Sequence, residues 1–127
     1  MLAILTGSTG VSYAFSECLG SPLTGSASDV SSWNNCEGIH VFSSPPKFKG
    51  NKYVGEWKRG KPNGQGTYSW VNGNTYIGGH KDGKSHGQGT HIFANGKKYI
   101  GKYKDGKRHG HFIVTYPNGD KYIGEFK

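Results

Sequence analysis

Tyr53, Tyr76, Tyr99 and Tyr122 return every 23 residues, each followed two positions later by a glycine: Gly55, Gly78, Gly101 and Gly124. A fixed period of this length marks a stacked repeat, in which every unit buries its apolar face only against its neighbours. The same ruler carries Gly60, Gly83 and Gly106, then Gly64, Gly87 and Gly110, then the Asn-Gly pairs that begin at Asn72, Asn95 and Asn118. Function is therefore expected on the surface that stacking creates.

Each unit spells a hairpin. Tyr53, Gly55 and Trp57 alternate onto one face of a strand, and Gly66, Tyr68 and Trp70 do the same on the next. The segment from Gly60 to Gly64 reads as a five-residue connection, and Val71-Asn72-Gly73-Asn74 as a tight turn of type I′, whose positive φ suits Asn-Gly. The expectation is all-β: eight short antiparallel strands in an elongated single-layer sheet of successive hairpins that lengthens by roughly 10 Å per repeat. Glycine weakens a strand, yet here it recurs opposite aromatics, so a neighbouring ring is expected to lie across each bare backbone. Low apolar content, 32% of the chain, would otherwise suggest disorder.

Ahead of the array, Asn35 to Phe42 aligns with Asn63 to Trp70, with Cys36 where later units have glycine. Extra residues around Pro45 and Pro46 delay the return to register, and an incomplete first unit suits a cap. Three segments result: 1–14, 15–46 and 47–127. The first reads as a weak secretory signal, a short apolar stretch from Leu2 to Leu5 followed by Ser12-Tyr13-Ala14, with no basic residue before it. Phe15 to Trp33 is Ser- and Gly-rich and reads as a loose leader tethered only by Cys18. Cys18 and Cys36 fit a disulfide if the chain is exported, and two free thiols if it stays in the cytoplasm at a membrane surface.

The segment Tyr53-Val54-Gly55-Glu56-Trp57-Lys58-Arg59-Gly60, followed by Asn63-Gly64-Gln65-Gly66-Thr67, resembles the unit of the MORN (membrane occupation and recognition nexus) family. The likeness is close over 53–127 and loose over 35–52. It implies a curved sheet of hairpins with aromatics along one face, and a scaffold or recognition role without catalysis, often near membranes and sometimes on acidic phospholipids. The chain departs from the pattern at His80, which stands where Trp57 does, and at Phe112, which occupies the place of Gly66 and Gly89. The third repeat is expected to pack differently, with altered curvature near Phe112, because a ring there must displace its neighbour or fill an end cavity.

Two sets of residues are candidates for contact. The aromatic face, as core or as a groove for a protein or peptide, comprises Tyr53, Trp57, Tyr76, Tyr99 and Tyr122 with Trp70, Phe93 and Tyr116. The basic edge comprises Lys58, Lys81 and Lys104 with Lys61, Lys84 and Lys107. All 16 lysines and arginines lie in the repeat region against five acidic residues, so this edge is either a rail for acidic lipid headgroups or a solubilising guard. Self-association through an unpaired last strand is a further reading.

Other chemistries fit less well. Rings laid flat over backbone are poor platforms for bases, and no nucleic-acid motif is present, so nucleic acid is disfavoured. A zinc reading of His109 and His111 with His86 or His91 fails on spacing, since His86 and His109 are repeat equivalents about 10 Å apart. No nucleophile elbow, phosphate loop or paired carboxylates suggest an enzyme, and no cofactor or metal is expected.

Overall fold

A computed structural model describes residues 16–18 and 30–126; the signal reading of 1–14, most of the leader and the terminal Lys127 fall outside the described residues. Among the described residues, nine strands hydrogen-bond in chain order into one open sheet. They are β1 (Ser16–Glu17), β2 (Cys36–Val41), β3 (Lys52–Lys58), β4 (Lys61–Ser69), β5 (Thr75–Lys81), β6 (Lys84–Ile92), β7 (Lys98–Lys104), β8 (Lys107–Thr115) and β9 (Lys121–Phe126). The two-residue β1 lies parallel to β2, and β2 to β9 are the eight antiparallel strands expected from the repeat.

Register turns the period into rows that cross the whole sheet. One row is glycine: Gly38 opposes Gly55, Gly55 opposes Gly66, and the pairing continues through Gly78, Gly89 and Gly101 until Phe112 interrupts it before Gly124. The next row along the strands, on the same face, is His40, Tyr53, Tyr68, Tyr76, His91, Tyr99, Val114 and Tyr122. Between them, on the opposite face, runs a β-branched row from Ile39 and Val54 to Ile113 and Ile123, whose members pair across strands in the manner that stabilises an open sheet.

The glycine row exists because tyrosine lies on it. A Cβ on Gly66 would collide with the Tyr53 ring, and one on Gly89 with the Tyr76 ring. The Tyr53 hydroxyl donates to the Glu56 carbonyl at 3.1 Å and that of Tyr76 to the Gly79 carbonyl at 3.0 Å. Each phenol is thus satisfied by backbone that a side chain would have hidden.

The turns are distributed differently from the sequence expectation. The type I′ geometry belongs to the two-residue loops Arg59-Gly60, Asp82-Gly83 and Asp105-Gly106, in which both residues have positive φ. No five-residue connection from Gly60 to Gly64 forms; residues 61–64 are already strand. Gly64, Gly87 and Gly110 serve a bulge instead: Gly55 pairs with Gly66 but Trp57 with Pro62, so three residues of β4 face Glu56 alone. At the far ends, positive φ is confined to Gly73, Gly96 and Gly119, and Gly73 donates to the Trp70 carbonyl at 3.0 Å. That is a three-residue hairpin loop closed by a glycine bulge, because Asn72 keeps an ordinary φ and uses its side-chain oxygen to accept from the Asn74 amide.

Rings make the core. Trp33, Trp57, Tyr53 and His80 meet edge to face, with centroids 4.9, 5.3 and 4.8 Å apart in turn. The file continues through Tyr76, Tyr103, Phe112 and Phe126 at 5.1, 5.0, 5.1 and 5.3 Å. Edge-to-face contact suits the ring quadrupoles, and it lets a single-layer sheet own a continuous interior.

Trp33 corrects the reading of a leader tethered only by Cys18. It is 2% exposed, and its carbonyl accepts from the Gly60 amide at 2.8 Å. Trp33 packs edge to face on Trp57, the place that the preceding repeat's tyrosine takes against His80 and Tyr103. The Cys18–Cys36 disulfide closes the same end, joining the strand pair β1 and β2.

Candidate functional site

A second file of rings stands beside the buried one. Phe42, Tyr68 and Trp70 follow one another at 5.8 and 4.7 Å, and Trp70, His91 and Phe93 are stacked nearly parallel at 5.2 and 4.5 Å. These rings are half-buried. Their footing is specific: the Asn51 side chain donates to the Tyr68 hydroxyl at 3.1 Å and accepts from the Val71 amide at 3.0 Å, tying wall to turn.

Between the two files lies a groove of about 660 Å³. Buried Tyr76, His80 and Tyr103 form its floor, and half-buried Tyr68, Trp70 and His91 line it together with Lys61, Lys107 and Arg108. It is lined from Phe42, directly after β2, to Arg108 on β8. At about 4.8 Å per strand interval, that is roughly 29 Å.

Burial sets the protonation states along the floor. His80 is 6% exposed and burial holds its imidazole down at about 4, although carbonyls of Gly78 and Gly64 pull the other way. Its Nδ1 lies 3.1 Å from the Gly78 carbonyl oxygen, which fits a neutral ring donating there. Burial, then the charge of Arg108, likewise lowers His91. The Tyr76 phenol is pushed up to about 12 by burial. At neutral pH the floor is uncharged.

Phe112 reorganises the end of the groove. Its ring is 1% exposed and fills the notch that glycine leaves in the earlier repeats, contacting Tyr103 and Phe126. A Cβ on Gly101 would meet this ring rather than a tyrosine. Tyr99 therefore stands outward, half-buried, where the Arg108 guanidinium covers it at 4.3 Å and the Lys97 ammonium lies 5.0 Å from it. Of the two outcomes that the sequence leaves open at Phe112, displacement of the neighbouring ring is the one the geometry has.

The sequence-named residues divide accordingly. Trp70 and Tyr76 line the groove, whereas Tyr53 and Trp57 are core at 0% and 1% exposure. Phe93 extends the stacked wall, Tyr99 carries Arg108, and Tyr116 and Tyr122 lie exposed beyond it. The six lysines are all exposed and pair by Cα register across the type I′ turns: Lys58 with Lys61, Lys81 with Lys84, Lys104 with Lys107. Sequence reasoning did not single out Tyr68, His91 or Arg108 for the groove. Their positions hold Tyr, His and Val, or Pro, Ser and Arg, in successive repeats, so no constant residue type flags them.

An open, one-layer stack of hairpins with a ring-lined face defines a repeat-type binding scaffold. The MORN repeat profile matches residues 53–75, 76–98 and 99–121, and the chain belongs to the MORN repeat family. No curated protein is significantly similar to it. MORN repeats serve as binding and scaffold modules in protein or membrane interactions.

Proposed function

We propose that this chain is a recognition module without chemistry of its own, holding an elongated polypeptide in the groove between the two ring files. The observation that carries the reading is the groove itself: a floor of buried rings, a wall of stacked half-exposed rings, and a length of roughly 29 Å that suits a chain segment better than a small molecule. Repeat-by-repeat contact sums weak interactions along such a ligand.

Trp70 makes the reading testable. Of the three tryptophans, Trp33 and Trp57 are buried and Trp70 alone stands in the groove wall. Amphipathic peptides of about ten residues, the extended length of the groove, should shift Trp70 emission on binding. Tyr68→Ala and Trp70→Ala should abolish binding measured by anisotropy of labelled peptide while the circular dichroism of the sheet stays intact. Peptide binding that ignores both substitutions sinks the proposal.

A second reading is carried by the lysine pairs. Three like-charged pairs set opposite one another work against the sheet, which favours a role for them on an anionic surface such as acidic lipid headgroups. Salt separates the two: lysine-borne lipid binding fades at about 0.5 M salt, where screening is short, and groove binding persists. For location, the disulfide supports an oxidising compartment, hence export. Intact mass before and after reduction, from a host able to secrete the chain, tests this; an intact Met1 with both thiols alkylated directly would return the protein to the cytoplasmic membrane surface.

A further inference from the structure

We propose that Arg108 anchors a carboxylate of the bound polypeptide, so that the groove selects a segment in which an acidic residue stands beside an aromatic or aliphatic one. This deepens the groove reading above and rests on it.

Arg108 departs from the period. Its equivalents are Pro62 and Ser85, so neither lysine ladder requires a cation there. The guanidinium carbon lies 4.3 Å from the centre of the Tyr99 ring and 4.9 Å from that of Phe126. Its Nε is shielded from solvent and has no hydrogen-bond partner. Among the described residues the ion pair is His86 with Asp105, and no carboxylate reaches Arg108. His91 Nε2, close enough to feel the Arg108 charge, is shielded and unpartnered too. Buried polar atoms ordinarily find partners, so two orphans at one end of a groove point to a group that arrives with the ligand.

The chemistry of that group follows from the donors. A planar guanidinium held against two rings presents an N–H fork that matches a carboxylate. Lys61 and Lys107 add positive charge, and Asp82 is the one acidic residue in the lining. The neighbouring surface is Tyr103, His91 and Trp70, which asks for a flat or branched apolar side chain next to the acid. A free acid would use only one end of the groove. The site is a consequence of Phe112, since a glycine there would let Tyr99 lie down and remove the shelf on which Arg108 rests.

The test is a selection of displayed random peptides of about ten residues against the full chain, followed by anisotropy with each selected peptide and its acid-to-amide counterpart on the wild type and on Arg108→Met, which keeps the packing. We expect selected peptides to carry Asp or Glu beside an apolar residue. Arg108→Met should weaken the acid form about tenfold, the scale of a charge-assisted hydrogen bond, and leave the amide form unchanged. Binders without an acid, or equal losses for acid and amide forms, overturn the anchor while leaving the groove reading intact. Binders indifferent to Tyr68→Ala and Trp70→Ala, or no binders at all, overturn both. Arg108→Lys, which keeps charge and loses the fork, should fall between wild type and Arg108→Met if the methionine variant folds poorly.

Discussion

The ring of Tyr53 lies where a side chain on Gly66 would have to be. These residues are not register partners: Tyr53 opposes Tyr68, and Gly66 opposes Gly55, so the ring reaches diagonally across the strand pair. The first two repeats are locked by this reach and not by bulk packing of two layers.

Gly66→Ala should therefore cost far more than its helix or strand propensity suggests. Overpacking, together with loss of the Tyr53 hydroxyl bond, predicts about 3 kcal/mol. Gly119→Ala, where a Cβ meets nothing but φ is +93°, should cost only about 1–2 kcal/mol from the left-handed backbone. Urea unfolding of the two variants gives the comparison, and equal losses would discount the diagonal lock.

Stability should fall on mild acidification. His80 is held near 4 in the fold and would titrate at about 6.5 in an unfolded chain. The unfolded state binds the extra proton in that window, so the stability is complete above about pH 6.5 and is lost as pH drops toward 4. The loss is of the order of 3 kcal/mol, with His91 acting in the same direction. His80→Phe keeps a ring between Tyr53 and Tyr76 and should flatten the urea midpoint between pH 6.5 and 5. An unchanged slope would assign the acid sensitivity elsewhere.

Reducing the Cys18–Cys36 bridge, which links positions 18 apart, should cost about 3 kcal/mol by releasing the unfolded chain. Trp33 and Trp57 share that cluster, so their emission should report the change first. Denaturation curves with and without reductant measure it; superimposed curves would mean that ring packing alone closes this end.

Lys81→Glu should trade binding against stability. It places opposite charges across the Asp82-Gly83 turn, where Lys81 now faces Lys84, and should stabilise the sheet by about 0.5 kcal/mol. If the lysine edge meets acidic lipid, sedimentation with anionic vesicles should fall in the same variant. Greater stability with unaltered sedimentation would leave the lysines as solubilising guards.

The periodic parts of this chain were legible because backbone geometry demands the same residue at every turn of the ruler. In-register tyrosine and glycine announced the sheet, its order and the rings lying on bare backbone. Glycine alone could not say which demand it met: Gly60 closes a tight turn and Gly64 relieves a bulge, and both recur at the same interval. Arg59, Asp82 and Asp105 take the left-handed conformation without being glycine, which hid the type I′ loops from composition. The groove wall was harder still, since ring stacking accepts Tyr68 and His91 in equivalent places and Trp33 lies outside any repeat.

A flawless repeat has a weakness as a receptor, because a ligand shifted by one unit would find the same surface again and could settle at several alignments of equal energy. Phe112 removes that degeneracy. By interrupting the glycine row once, it raises Tyr99 and creates one shelf that no other repeat copies. The array thereby acquires a zero mark as well as a scale, and a partner laid along it can read its own position.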